Sequence, residues 1–367
     1  MITDRLELLS KSMKYLAFGT IAACGLMSTM SPSFAVETIR LTIATGQAET
    51  FLWVKHLKHT FLPVLNEELA KSGETRIEWL EGYGGTIVKQ GSEAEALQQG
   101  IMDVGQISGT YNPSQLGLLN LGYAMPFGPE SARLVTEAAE HALRETKALV
   151  ALEQAVGIVY IGGGFALDDY NIGSKAPLAK LDDLKGRKIG GVGAALTWIG
   201  GAGAVGVQGS LLDHYNNIQS GLYEGYIGWV TGSIPAKMYE VAPYWNRVHF
   251  GATYVGGIGV AKPKWDTFSA STKAAFQTAA AAYSKAYFDE LETRVDKGLE
   301  TMRANGVTMV EFNEPDREAW IRQIPNPTTA WMQASAARGE PAREVLGAYR
   351  DFLDRSGFKF VRDYLAE

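Results

Sequence analysis

Hydrophobic and polar positions alternate over 39–45, with Ile39, Leu41 and Ile43 on one side, and this period of two predicts a strand. A polar loop over 46–50 leads into a helical stretch at about 51–71. A bend is expected at Pro63, which lacks an N–H. There follow a strand at 76–80, a glycine-rich loop at 82–85, a helix at 93–99 ended by Gly100, and a short strand at 102–107. Residues 130–155 read as helices broken near Thr146. From Ile158 the chain turns strand-rich and glycine-rich, with strands at 188–189 and 226–230 and helices at 194–199 and 211–219. A long helix over 271–305 is marked by Phe276, Ala280, Tyr283, Tyr287, Leu291, Val295, Leu299 and Met302, whose steps of three and four define one buried stripe. Asn305-Gly306 is its stop. A strand at 307–312 and a helical tail complete the chain, and the alternation of strands and helices predicts α/β lobes.

Residues 1–35 read as an address. Lys11 and Lys14 precede an apolar run over 15–27, and Ser33-Phe34-Ala35 places small residues at −3 and −1 of a cleavage site before Val36. The run falls short of the roughly 20 residues of a membrane span. A competing reading stays open: residues 21–25 resemble a lipobox in which Cys24 would be lipidated.

Composition then narrows the function. A chain of 367 residues suits two lobes of about 150 residues each. Net charge is −6, without a long Lys/Arg run, which argues against nucleic-acid binding through a basic face. One cysteine excludes a disulfide framework and a cysteine metal cluster, and five scattered histidines argue against a histidine metal site.

Three motifs are discounted. Gly201, Gly203 and Gly206 match the dinucleotide fingerprint in letters, but they follow an expected helix where a strand is required. Small residues at a helix end are the better reading. His56 and His59 share a helix face without a third ligand and read as solvated. Asp182-Asp183 at a turn entry read as caps for backbone N–H groups. There is no G-x-S-x-G, P-loop or paired Cys/His, so the chain reads as no enzyme and no cofactor is implied.

The informative stretch is 177–244. Leu181-Asp-Asp183-Leu-Lys-Gly186-Arg-Lys-Ile189 resembles the "DLKGxKI" segment of the extracytoplasmic solute-binding proteins of TRAP transporters, the DctP-like family. Tyr215 to Gly225 is similar to its "Y-x-x-L-Q-x-G-x-x-D-G", and Lys237 to Tyr244 to its "K-x-x-E-V-A-x-Y". Trp265 with 269–273, Glu95 to Val104, and Met125-Pro-Phe127 resemble further family motifs in the same order. The resemblance spans about 40–310. It implies a two-lobe α/β clamshell of the periplasmic-binding-protein type, a long helix spanning both lobes, and a ligand in the interlobe cleft that is delivered to membrane permease subunits. The implied organisation is a signal peptide at 1–35, lobe I at 36–160 with a returning segment at about 250–275, lobe II at 161–249, and a spanning helix with a helical C-terminal region at 271–367. Location is the periplasm, and a homodimer through the terminal helices is compatible with the resemblance.

The chain departs from this family where ligand is held. Most members place a carboxylate-binding arginine directly after "DLKGxKI", and that position is Gly190 here. Arg187 would face away and Lys188 would have to reach back. A second family arginine falls at Tyr170, and a polar contact at Gly228. A typical carboxylate clamp is therefore absent, and volume is expected to have been removed from the cleft. Trp198, Trp229, Tyr226 and Tyr254 stand nearby with Tyr170 and suggest a bulkier, aromatic or weakly charged ligand sandwiched by rings. Thr45, Gln47, Ser108 and Thr110, at strand ends, complete the candidate contacts. Asp168-Asp169 read as a solvated turn, with recognition of a cationic amine as the alternative. The leading function is a periplasmic solute-binding subunit for a carboxylate or a bulkier aromatic solute. A binding protein for a neutral, cationic or zwitterionic ligand and a ligand-sensing subunit are the alternatives, and an enzyme on the same fold ranks last.

Overall fold

The computed structural model describes residues 36–366, so the expected signal peptide, the expected cleavage at Ala35 and the lipid alternative at Cys24 lie outside the described residues. Among the described residues nine strands form one sheet: β1 (Glu37–Ala44), β2 (Thr75–Gly82), β3 (Val104–Ser108), β4 (Ile158–Ser174), β5 (Lys188–Gly191), β6 (Val205–Gln208), β7 (Gly225–Trp229), β8 (Tyr244–Ala261) and β9 (Thr308–Glu311). Their order is β2-β1-β3-β8-β4-β7-β5-β6, with β9 beside β8. β1 pairs in parallel with β2 and β3, and β5 with β6 and β7, whereas β4 and β8 run antiparallel to each other and to β7 and β3 respectively, and β8 pairs in parallel with β9. Helices cover the faces of the parallel portions.

Among the described residues β4 and β8, with 17 and 18 residues, are the only strands shared by both halves of the sheet. The end of β8 pairs with β3 over Gly256–Val260, and the end of β4 pairs with β7 over Tyr170–Ser174. Between them the register slips repeatedly from Tyr160 to Ile172. Such irregularities bend and twist a ladder. Gly256 makes one of them possible. Its φ is +155°, and a Cβ there would lie 2.0 Å from the carbonyl oxygen of Ile107. The fold is thus a two-lobe α/β clamshell joined by two bent strands.

The long helix runs Ala270–Ala304, capped by Ser269, whose Oγ accepts from the Thr272 N–H at 3.1 Å. Phe276, Ala280, Tyr283, Tyr287 and Leu291 of its stripe belong to the main core. Met302, with Leu299 beside it, joins a second core built from Ile218, Tyr223, Tyr226, Val230 and Trp245. One helix is therefore anchored in both cores. Each fully buried ring contributes about 1.5–3 kcal/mol of burial.

Several local expectations change. The stretch 51–71 is not a helix bent at Pro63 but a helix at Leu52–His56, a π-turn at Leu57–Phe61 and a helix at Leu62–Ser72. Pro63 brings no N–H to the carbonyl four residues earlier, and the turn before it widens. The helix expected at 194–199 is a 3₁₀ segment, Gly193–Ile199. Gly201 and Gly203, at φ +77° and +76°, form a turn that enters β6, so a strand follows the glycines where the fingerprint requires one before them. His59 is exposed as expected, but His56 is buried. Its Nδ1 lies 2.9 Å from Thr60 Oγ1 and its Nε2 3.1 Å from Glu290 Oε2. Asp183 does cap, accepting from the N–H groups of Ala179 and Lys180. Among the described residues no helix is long and apolar enough to cross a membrane.

Candidate ligand-binding site

A cavity of about 230 Å³ lies where the two halves of the sheet face each other across the middle of β4. Thr45 and Gln47 enter it because β1 ends at Ala44 and the chain turns, with the Thr45 N–H bonded to Gly82 O at 2.9 Å. Gln106 and Ser108 point in from β3, two residues apart on one face, and Thr110 and Tyr111 follow in the loop. β4 contributes Phe165, Leu167 and Tyr170. The second half supplies Val192 and Ala195 after β5, Ser210 and Leu211 after β6, and Ile227 and Trp229 from β7.

Rings make most of the wall. Phe51 stacks on Trp53 at 4.7 Å between centroids, Trp53 stacks on Phe165 at 5.7 Å, and Tyr170 lies 5.0 Å from Trp229. The Trp53 N–H donates to Gln47 Oε1. The helix that carries Trp53 is tied to the long helix by Lys55, whose Nζ sits 2.7 Å from Glu290. Burial works against the Glu290 charge, but Lys55 and Arg294 outweigh it and hold the carboxyl down at about 2.

Among the described residues Glu93 is the one charged side chain in the wall, and no arginine, lysine or histidine joins it. Its Oε1 accepts from the Gly46 N–H at 3.0 Å and its Oε2 from the Gly91 N–H at 2.7 Å. Gln106 donates from Nε2 to Trp53 O at 3.1 Å and to the Tyr283 hydroxyl at 2.9 Å. Its Oε1 is buried and has no partner among the described residues, and the same holds for Trp229 Nε1.

Of the residues expected from sequence, Thr45, Gln47, Ser108, Thr110, Tyr170 and Trp229 line this cavity. Gly190, Trp198, Gly228 and Tyr254 lie outside the wall. A Cβ on Gly190 would meet the Tyr223 ring at 2.6 Å, so the volume lost there is filled by Tyr223 and was not added to the cleft. On Gly228 it would meet the Tyr226 ring at 2.5 Å. Trp198 stacks behind Tyr123 at 5.4 Å and donates to Tyr123 O at 3.1 Å. Tyr254 is buried with its hydroxyl 2.9 Å from that of Tyr160. Trp53, Phe165, Glu93 and Gln106 escaped sequence reasoning. A signal existed for Gln106 alone: a polar residue between Val104 and Ile107 in a buried strand.

Asp168 and Asp169 do not form a solvated turn. They lie within β4, outside the cavity wall. Asp168 is buried and accepts from the Thr231 hydroxyl and N–H; burial pushes its carboxyl up to about 6. Asp169 accepts from the Gly251 N–H at 3.0 Å and from Asn171 Nδ2 at 2.9 Å, and pairs with His249 Nδ1 at 2.7 Å. Glu130 Oε1 lies 3.2 Å from the same nitrogen. Burial disfavours the His249 cation, but these two carboxylates outweigh it and raise the imidazole to about 9. Arg317 donates to the carbonyls of Val248 and His249 at 2.8 and 3.0 Å. The knot fastens the bends of both shared strands.

Comparison with known proteins agrees with this architecture. A TRAP periplasmic solute binding protein from Desulfovibrio salexigens, an open complex, superposes with a TM-score of 0.74 at 17% identity, covering 88% of this chain and 98% of its own. One from Bordetella bronchiseptica with bound (R)- and (S)-mandelate gives 0.69 at 17%, covering 87% and 99%. Another from Desulfovibrio salexigens, with bound orotic acid, gives 0.68 at 18%, covering 86% and 99%. These likenesses show the fold. No curated protein matches the chain. The family model for bacterial extracellular solute-binding proteins, family 7, matches residues 47–333, so the chain belongs to that family, the DctP family.

Proposed function

We propose that this protein is the periplasmic solute-binding subunit of a TRAP-type transporter, capturing a small organic solute between its lobes and handing it to the membrane permease. The observation that carries the reading is the ring-lined cavity, whose walls come from both halves of a sheet joined by β4 and β8. A solute in contact with both walls favours the closed arrangement, and the bends at 162–170 of β4 and 251–256 of β8 would be the hinges. The lobe boundaries proposed from sequence, at residues 160–161 and 249–250, fall in or beside these strands. Export by the 1–35 segment fits the function, because a permease can collect solute only from a protein in its own compartment.

A thermal-shift screen of purified protein against pyroglutamate, orotate, mandelate, their carboxylate-free counterparts and small amines tests this. A solute at 100 times its dissociation constant adds about 2.7 kcal/mol of stability. At least one class should raise the melting temperature, and Trp53→Ala should abolish the rise. A screen in which no small solute of any class stabilises the protein would remove the reading.

A further inference from the structure

We infer that the cavity selects an uncharged solute that presents a lactam- or imide-type edge, an N–H donor beside a carbonyl acceptor, on a flat apolar body. The inference rests on the solute-binding reading and narrows it. An anion would enter a wall that holds no cation and already contains the Glu93 carboxylate. Desolvating a carboxylate without a partner charge is strongly unfavourable.

The hydrogen-bonding edge is set by three residues. Gln106 cannot rotate its amide, because Trp53 O accepts only and must face Nε2. Both Nε2 hydrogens are used, and Oε1 is left buried, unpartnered and in need of a donor. Thr45 Oγ1 accepts the Gln47 N–H at 3.3 Å, and Ser108 Oγ accepts the Thr110 N–H at 3.2 Å. Among the described residues neither hydroxyl has an acceptor for its own hydrogen, so each offers a donor. Gln106 and Ser108 share a face of β3, and Thr45 follows β1, whose Ala44 pairs with Gly105. One acceptor and two donors thus belong to the same side of the cavity wall, two from β3 and one from the turn after β1. A carboxylate has no donor for Gln106, and an ammonium has no acceptor for the hydroxyls. The ring faces of Trp53, Phe165 and Trp229 leave the rest of the ligand an apolar slot.

Calorimetric titration at pH 7 uses matched probes: uracil against orotate, 2-pyrrolidinone against pyroglutamate, and mandelamide against mandelate. 1,3-Dimethyluracil supplies a ligand without N–H, and benzylamine a cation. The carboxylate-free partner should bind at least tenfold tighter in each pair, and dimethylation should cost at least tenfold. Gln106→Leu should bring the uracil-to-dimethyluracil ratio below threefold; this ratio does not depend on how much of the variant folds. If that variant does not fold, Ser108→Ala should weaken uracil at least fivefold. A carboxylate that binds as well as its partner, a dimethylated probe equal to uracil, or benzylamine as the tightest ligand would each overturn the inference and leave the solute-binding reading standing. Binding by no probe would count against both.

Discussion

Two buried polar constructions sit on the same pair of shared strands and are finished differently. In the knot around His249, the ring nitrogen, both Asp169 oxygens, the Asn171 amide and the neighbouring carbonyls all have partners within the protein. In the cavity wall, Gln106 Oε1 and Trp229 Nε1 are equally buried and have none. An unmade buried hydrogen bond costs about 1–3 kcal/mol. Around His249 that cost is removed, and in the cavity wall it is kept at two atoms; Asn112 Nδ2, Thr136 Oγ1 and His214 Nε2, also without a partner among the described residues, belong to neither construction.

The comparison can be broken at either end. The largest expected effect is Trp53→Ala, which strips the stacks on Phe51 and Phe165 and should cost about 3–5 kcal/mol in a denaturant melt, together with solute binding. Next is the knot. A histidine raised from 6.5 to about 9 stabilises the fold fully below pH 6.5 and loses that contribution as pH climbs through 9, a difference of about 3 kcal/mol. His249→Asn, with a residue that tolerates the φ of +55° there, should be less stable at pH 6 and show no decline between pH 6.5 and 9. Asp168 has the opposite kind of shift for an acid. Raised to about 6, it makes stability fall as pH rises from about 4 to 6, by about 3 kcal/mol, and Asp168→Asn should flatten that window in melts across the range. The smallest effect belongs to the open wall: Trp229→Phe removes an N–H that has no partner and should change the melting free energy by less than about 1 kcal/mol.

What sequence made legible follows from how local each feature is. β1 alternates because one of its faces is more buried than the other, and the long helix shows its stripe because only one side meets the cores. β8 shows no period, since it is apolar and buried on both faces and studded with glycine, and β6 is four residues inside a glycine run. Polar residues at strand ends, such as Thr45 and Ser108, could be placed at the cavity from chain direction alone. Trp53 could not, because its position depends on Lys55 meeting Glu290, 235 residues away. Trp198 and Tyr254 looked like ligand contacts because neighbours in sequence do not reveal which side of a strand or turn the core occupies.

The ring of Tyr223 behind Gly190 carries a consequence for how this specificity can change over generations. An arginine placed at position 190, where the family resemblance expects one, would run into that ring, whose hydroxyl also contacts His214 and Asn217. A smaller residue at 223 must come first, and it gains nothing until the arginine arrives. The two positions are therefore coupled, and a substitution at one has to be judged with the residue at the other.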